Sequence, residues 1–315
     1  MKPTVLLTGG FGNLGGRITA AIAATNRWNI KLISRSALTA PNWAPDAEII
    51  RLDLTKRPPV STICDGVDAV IHLAALDDRT SKNNVELAND LSGNATRYLI
   101  ENATRFNVDR FLFMSTAHVY GDMLVGKITE DSVTTSTHPY ATSHMLGEQA
   151  LINAEASITG IRIRCANGFG YPIDQKIELK NTLLNDLCQQ VVQMGVITLR
   201  SSGTQPRNFV PFGDVAAATI HLLELDKTQL GDGLFNVGCT SSCSVLAMAQ
   251  LVAERAHQVF GVDCPIVRPD SAEKTEPQML DYSISKLLAT GFSPSNSVDE
   301  EIDGLLRSCF ERQSK

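Results

Sequence analysis

No stretch of this 315-residue chain approaches the ~20 consecutive apolar residues of a membrane-spanning helix, which excludes a helical span. The first apolar run, Val5-Leu6-Leu7, is far too short for a secretory leader, and glycines follow it at once. Basic runs are missing, and 28 Lys and Arg against 34 Asp and Glu leave a net charge of −6, which argues against a nucleic-acid surface. The seven cysteines, at positions 64, 165, 188, 239, 243, 264 and 309, are odd in number, scattered and without a CxxC pair. They read as reduced thiols, and a cytoplasmic location is expected. Histidine spacing of the HExxH kind is absent, so no catalytic metal is expected. Repeats and low-complexity tracts are absent as well.

What is present is ordinary in bulk, with 43% hydrophobic and 20% charged residues, and specific in one place. Val5-Leu6-Leu7 runs into glycines at 9, 12 and 15, and a helical stripe of Leu14, Ile18, Ala21 and Ile22 follows. Strand, glycine turn and helix open a dinucleotide-binding fold. Gly9 permits the turn, Gly12 lets the backbone approach a pyrophosphate, and Gly15 lets helix and strand lie close. The helix N-terminus, with its unpaired N–H groups, favours the anion.

A second strand at 29–33 ends on Ser34-Arg35. In this fold an acidic residue ~20 positions past the glycines binds the adenosine ribose. Here Ser34 stands in its place, and Arg35 can hold a 2′-phosphate, so NADP(H) is expected over NAD(H). The competing reading is a solvated arginine at a strand end. A third strand at 48–52 closes on Asp53-Leu54, where Asp53 either reaches the adenine amino group or forms a turn. The apolar run 67–75 gives a strand buried on both faces, with His72 packed in the core and small Ala74-Ala75 leaving room for a cofactor.

Further along, the pattern predicts a long helix over 82–106, a strand at 110–114, a helix from Pro139 and a strand at 160–164. Beyond Pro172 it predicts helices over 176–193, from an Asp214 cap to Leu225, from Ser244 to Phe260 and over 298–312, with strands at 196–199 and 234–238. The fold class is therefore α/β: a Rossmann-type, doubly wound parallel sheet with a smaller C-terminal substrate-binding lobe. Residues 1–171 make the NAD(P)-binding part, with return segments near 208–238, and 172–315 mainly the substrate lobe.

Thr8-Gly9-Gly10-Phe11-Gly12-Asn13-Leu14-Gly15, Asp53-Leu54, His72-Leu73-Ala74-Ala75, the run 115–121, Pro139-Tyr140, Arg164 with 167–170, Arg207-Asn208-Phe209-Val210, Asp214-Val215 and Asn236-Val237-Gly238 run in one order across nearly the whole chain. Together they resemble the extended short-chain dehydrogenase/reductase family, in its nucleotide-sugar epimerase, dehydratase and reductase branch. The resemblance implies that Phe11, Asn13, Leu14, Leu54 and Leu73 join the cofactor site. It implies that Thr116 contacts the reacting sugar oxygen and Tyr140 is the general acid/base beside the nicotinamide. Asn167 then lies near the substrate, and Arg207 contacts its diphosphate or sugar, a task its planar fork suits. A salt-bridge role for Arg207 at the lobe boundary is the alternative.

One position departs from the family pattern. A lysine is expected four residues after the tyrosine, and His144 stands there. The lysine grips the nicotinamide ribose, and its charge lowers the tyrosine pKa by ~1–3 units. A histidine with the ordinary pKa of ~6.5 is charged only about a quarter of the time at pH 7, although a neutral imidazole still donates one hydrogen bond to ribose. Three readings follow: an imidazolium held by its surroundings, a proton supplied by His118, or binding without catalysis. His118 replaces the glutamate of the resembling 4,6-dehydratases and Ala117 their aspartate, which argues against dehydration. His118 is either a second acid/base facing the sugar or a pocket-wall residue satisfying a backbone group.

The expectation is an NADP(H)-dependent oxidoreductase or epimerase of a nucleotide-activated sugar, with keto-reduction slightly preferred on the strength of Arg35. The alternative is a non-catalytic dinucleotide-binding regulator or subunit. A homodimer is expected by family analogy alone, through the helices that begin near Lys82 and Pro139.

Overall fold

The computed structural model describes residues 2–36, 39–58, 61–179, 182–269 and 278–313. Its central sheet has seven strands: β1 (Thr4–Thr8), β2 (Asn29–Ser34), β3 (Glu48–Arg51), β4 (Ala69–His72), β5 (Arg110–Thr116), β6 (Thr159–Cys165) and β7 (Leu234–Val237). They lie side by side in the order β7-β6-β5-β4-β1-β2-β3, every pair parallel. The order reverses between β1 and β4, and that switch point is where such sheets bind ligands.

Strand alternation explains the layers. Val5 and Leu7 face one side, where Ile18 and Ile22 of α1 (Asn13–Thr25) and Val215 and Leu222 of α7 (Phe212–Glu224) complete a core. Leu6, Val70, Phe111 and Phe113 face the other side, against Leu99 and Ala103 of α4 (Ala95–Arg105) and Ala150 and Leu151 of α5 (Pro139–Ile152). A further core lies off the sheet, among α6 (Leu183–Met194), α8 (Val245–Phe260) and α10 (Val298–Gln313). Arg17 of α1 pairs with Glu301 of α10 and stacks on Tyr171 at 4.2 Å, tying the glycine-turn helix to the last helix. Among the described residues, no helix is long and apolar enough to cross a membrane.

Several elements differ from the sequence pattern for physical reasons. The single helix expected over 82–106 is broken into α2 (Asp78–Asn83), α3 (Val85–Asn89), a π-turn at Asp90–Asn94 and α4. The wide turn coincides with Asp90 meeting the Arg57 guanidinium at 2.7 and 2.9 Å, a partner 33 residues away in sequence. The strand expected over 67–75 is only four residues long, because the Leu73 and Ala74 N–H groups turn onto the Thr8 hydroxyl at 3.2 and 3.1 Å. Asp214 does not cap α7. It sits in the first turn and accepts the Ser295 and Asn296 N–H groups, both at 3.0 Å, so it fastens a loop. Of the helix expected over 176–193, the structure forms α6 from Leu183; residues 180 and 181 lie outside the described residues.

Candidate active site

The glycine turn joins β1 to α1. Gly9 has φ +73°, in the left-handed region, and a Cβ on Gly15 would lie 2.1 Å from the Gly9 carbonyl oxygen, so neither position accepts a side chain. Gly12 is the N-cap of α1 and no side chain caps the helix, which leaves first-turn N–H groups as donors for an anion. Asn13 Oδ1 is buried without a hydrogen-bond partner. Free donors and an orphaned acceptor at a turn that excludes side chains fit a dinucleotide. Phe11 lies edge-on to Trp43 at 6.4 Å, and Leu14 packs on the core beside α1. A Cβ on Gly9 would touch the Leu73 and Ala74 backbone at 3.0 Å, so the end of β4 forms the opposite wall, with half-buried Ala75 beyond.

The ends of β2 and β3 lie on the same edge of the sheet. Ser34 Oγ accepts the Ser36 N–H at 3.3 Å. Arg35 is exposed, and its charge reaches the Asp53 carboxylate. Asp53 accepts the Thr55 N–H at 3.0 Å and hydroxyl at 2.8 Å, and these bonds hold its carboxyl below the usual range, so it forms a turn. The Leu54 side chain is buried in the core beside Leu6 and Ile33, which leaves only its backbone to face a ligand.

The chemical end of the site is assembled by β5 and α5. Thr116 ends β5, and its Oγ accepts the His118 N–H at 3.2 Å, which leaves the hydroxyl proton free for another acceptor. Burial pushes the Tyr140 phenol up to about 12, against the lowering effect of Thr116. His144 follows one turn later, its ring 4.5 Å from that of Tyr140. Its Nδ1 lies 2.8 Å from the Tyr140 carbonyl, which can only accept, so Nδ1 carries the proton. Burial lowers the His144 pKa and keeps the ring neutral. Nε2 is then a bare acceptor. This changes two expectations: the ring is not an imidazolium, and its one N–H is committed to backbone, so a ribose hydroxyl would have to donate to it.

His118 stands edge-on to Tyr140 at 6.2 Å, and the Asn167 side chain acts to raise its pKa. Burial first, then the nearby Arg207 charge, lowers its pKa. Arg207 lies on the short strand Pro206–Arg207, and its own pKa is lowered by burial. It lines a cavity of about 720 Å³ together with Arg79, Asp186, Arg200, Gln205 and Val245. Thr116, His118, Tyr140 and His144 are brought together, and the charge of Arg207 and the side chain of Asn167 reach His118, although the six residues come from four separate segments. His72 is fully buried, with Nδ1 2.6 Å from the Thr8 hydroxyl, as a core residue. Among the described residues no group of His, Cys, Asp or Glu could hold a metal.

Sequence reasoning passed over His138 and Asp78, and it quoted Arg164 without its buried partner Glu148. His138 is the N-cap of α5, and Glu148 accepts Arg164 at 2.6 and 3.0 Å along with the Ser115 hydroxyl. The signal for the pair was present, since Glu148 lies one turn beyond His144 on the same helix face. His138 gave no signal, because Ser, Thr, Asp and Asn are the usual caps.

A glycine turn at the switch point of a parallel sheet, with Thr116 and Tyr140 at the end of β5, defines a dinucleotide-binding protein of the extended short-chain dehydrogenase/reductase type. The chain belongs to the NAD dependent epimerase/dehydratase family, whose model matches residues 5–238. It is 27% identical over 273 residues to the UDP-glucose 4-epimerase of Bacillus subtilis, covering 78% of this chain and 80% of that one. It is 26% identical over 332 residues to the UDP-glucose 4-epimerase of Azospirillum brasilense, covering 98% and 91%. In fold it is similar to the UDP-glucuronic acid 4-epimerase of Bacillus cereus in complex with UDP-glucuronic acid and NAD, with a TM-score of 0.81, 21% identity and 99% and 100% of the chains covered.

These findings overturn the NADP(H) expectation. The family is the NAD dependent one, and similar solved complexes contain NAD. The physical reason lies at Arg35, which points into solvent with the Asp53 carboxylate in its field. A 2′-phosphate there would meet a negative charge as well as a positive one.

Proposed function

We propose that the chain epimerises a nucleoside diphosphate sugar at a secondary alcohol carbon, with NAD recycled within each turnover. The observation that carries the reading is the Tyr140 ring packed between His118 and His144 at the end of the sheet, with His118 in the field of the cavity arginine Arg207. When bound, NAD supplies the hydride acceptor and donor. The turn 9–15, Asn13 and 73–75 would hold it. Tyr140, in its tyrosinate form, would take the sugar hydroxyl proton at its phenolate oxygen and return it in the reverse half-reaction, Thr116 would hold that oxygen, and Arg207 would bind the diphosphate. Asn167 keeps His118 oriented at the sugar. The keto-reductase preference rested on Arg35 and falls with the NADP(H) reading. We also propose, by family analogy alone, that two copies pair through α4 and α5.

A second reading, a binding protein without turnover, is favoured by one observation: Tyr140 is raised to about 12 beside a neutral His144, where a cation would lower it. The test is to incubate the protein with NAD and, separately, UDP-glucose, UDP-N-acetylglucosamine and UDP-glucuronate, and to follow the C4 proton signals by NMR. Interconversion that disappears in Tyr140→Phe supports the epimerase. NAD binding without conversion of any sugar supports the binding protein.

A further inference from the structure

Four arginines that hold the fold together are matched by carboxylates: Arg17 by Glu301, Arg57 by Asp90, Arg164 by Glu148, and Arg255 by Asp299 and Asp303. The cavity beside the active site breaks this pattern. Arg79, Arg200 and Arg207 all line it, and among the described residues none of the three guanidiniums pairs with an acid. Asp186, also on the wall, accepts the Gln190 side chain at 2.9 Å instead. Arg207 is half-buried there, and no carboxylate compensates it for the water it loses. Charges left unpaired in a cavity gain most from an anion that enters it.

Arg79 differs from the others in origin. The rest of the wall lies between residues 182 and 245, on α6, the short strands and α8. Arg79 comes from the cofactor side of the cleft, on α2, which begins just beyond the 73–75 wall. Its neighbour Asp78 lies 3.3 Å from His138, the N-cap of α5, two residues before Tyr140. Arg79 therefore enters the cavity from the tyrosine side, while Arg200 follows the short strand Ile197–Thr198 on the opposite side.

We propose that Arg79 is a specificity-determining residue that reaches across the cleft to the sugar-side phosphate, so that the site takes a nucleoside joined through two phosphates and discriminates against one with a single phosphate; the proposal rests on the reading of the cavity as a nucleoside diphosphate sugar site. With the sugar at Tyr140, the phosphate next to it is the one nearest α2, and the phosphate next to the nucleoside belongs to Arg200 and Arg207. A single phosphate meets only those two. Three guanidiniums against the Asp186 carboxylate leave two positive charges on the wall, which the two phosphates of a sugar nucleotide cancel. The planar fork of Arg79 suits two phosphate oxygens at once. Its side chain is exposed and packs in no core, so its removal leaves the fold intact.

The test is calorimetry with UMP, UDP and UDP-glucose on the wild type, Arg79→Ala and Arg79→Lys. UMP and UDP-glucose both carry about two negative charges near neutral pH, so comparing them adds a phosphate at constant charge. Arg79→Ala should weaken UDP and UDP-glucose by about 10–100-fold and change UMP by less than about twofold. Arg79→Lys, which keeps the charge without the fork, should fall between. Equal losses on all three ligands overturn the proposal, because Arg79 then acts through the field of the whole cavity. A loss confined to UDP-glucose also overturns it, by placing Arg79 on the sugar, and so does no loss on any ligand. In each of these cases the nucleotide-sugar reading stands. A wild-type protein that binds none of the three overturns that reading and the proposal with it.

Discussion

His144 gives its one ring proton to the carbonyl of Tyr140, 2.8 Å away, and so spends its donor on the residue whose chemistry a lysine would assist. The bond fixes the tautomer, burial removes the charge, and Tyr140 stays high, at about 12. The helix thus keeps the geometry of the tyrosine site while losing its local cation.

The first prediction concerns pH. With Tyr140 near 12, about one molecule in 10⁵ carries tyrosinate at pH 7, and that fraction rises about tenfold per pH unit. Turnover should therefore climb through the alkaline range. His144→Lys places a cation one helical turn away and should move that limb toward neutral pH by ~1–3 units. The check is kcat against pH for both proteins. Superimposable profiles would show that the lost charge is not what limits the rate.

The second concerns the buried ion pair behind the site. Glu148 and Arg164 are 5% and 8% exposed at their side chains and meet at 2.6 Å. Glu148→Leu leaves the guanidinium buried without a counter-ion and should cost about 3–5 kcal/mol in urea unfolding. Arg164→Met on top of it should recover much of that loss, since the unpaired charge is gone. A double variant as weak as the single one would mean that packing, not charge, is what Glu148 supplies.

The fold was legible where a local pattern had a single physical solution. Gly15 must lack a side chain because the Gly9 carbonyl occupies its place, and the strand-turn-helix order around it admits one topology. The places of Thr116 and Tyr140 were legible by their order along the chain, since one ends β5 and the other opens α5. What failed depended on partners distant in sequence. The break at 90–94 goes with Arg57, the role of Asp214 with a loop 81 residues on, and the error at Arg35 with Asp53 across the strand ends. His144 was seen as a departure, but its donor direction needed the position of a backbone carbonyl.

The third prediction follows from the correction at Arg35. An exposed arginine with a carboxylate in its field contributes little to a ligand that lacks a 2′-phosphate. Arg35→Ala should change NAD affinity by less than about threefold, within the range of a surface substitution. NADP should bind the wild type no more tightly than NAD. Isothermal titration with both cofactors decides this, and a large loss of NAD binding in the variant would give Arg35 a direct contact.

The last prediction separates the Arg207 cavity from the glycine turn. Arg207 lines the cavity, and burial lowers its pKa, so its charge is poorly solvated and gains most from an anion. Lysine keeps the charge but not the fork that grips two phosphate oxygens. Arg207→Lys should therefore weaken UDP binding by about 10–100-fold, equivalent to roughly 1.4–2.8 kcal/mol. NAD affinity should stay within about twofold, because the variant lies outside the glycine turn. Calorimetry with UDP and with NAD reads both effects on one protein. If UDP affinity holds while NAD weakens, Arg207 serves the cofactor end, and the cavity needs another anion-binding residue, with Arg79 and Arg200 the next to substitute.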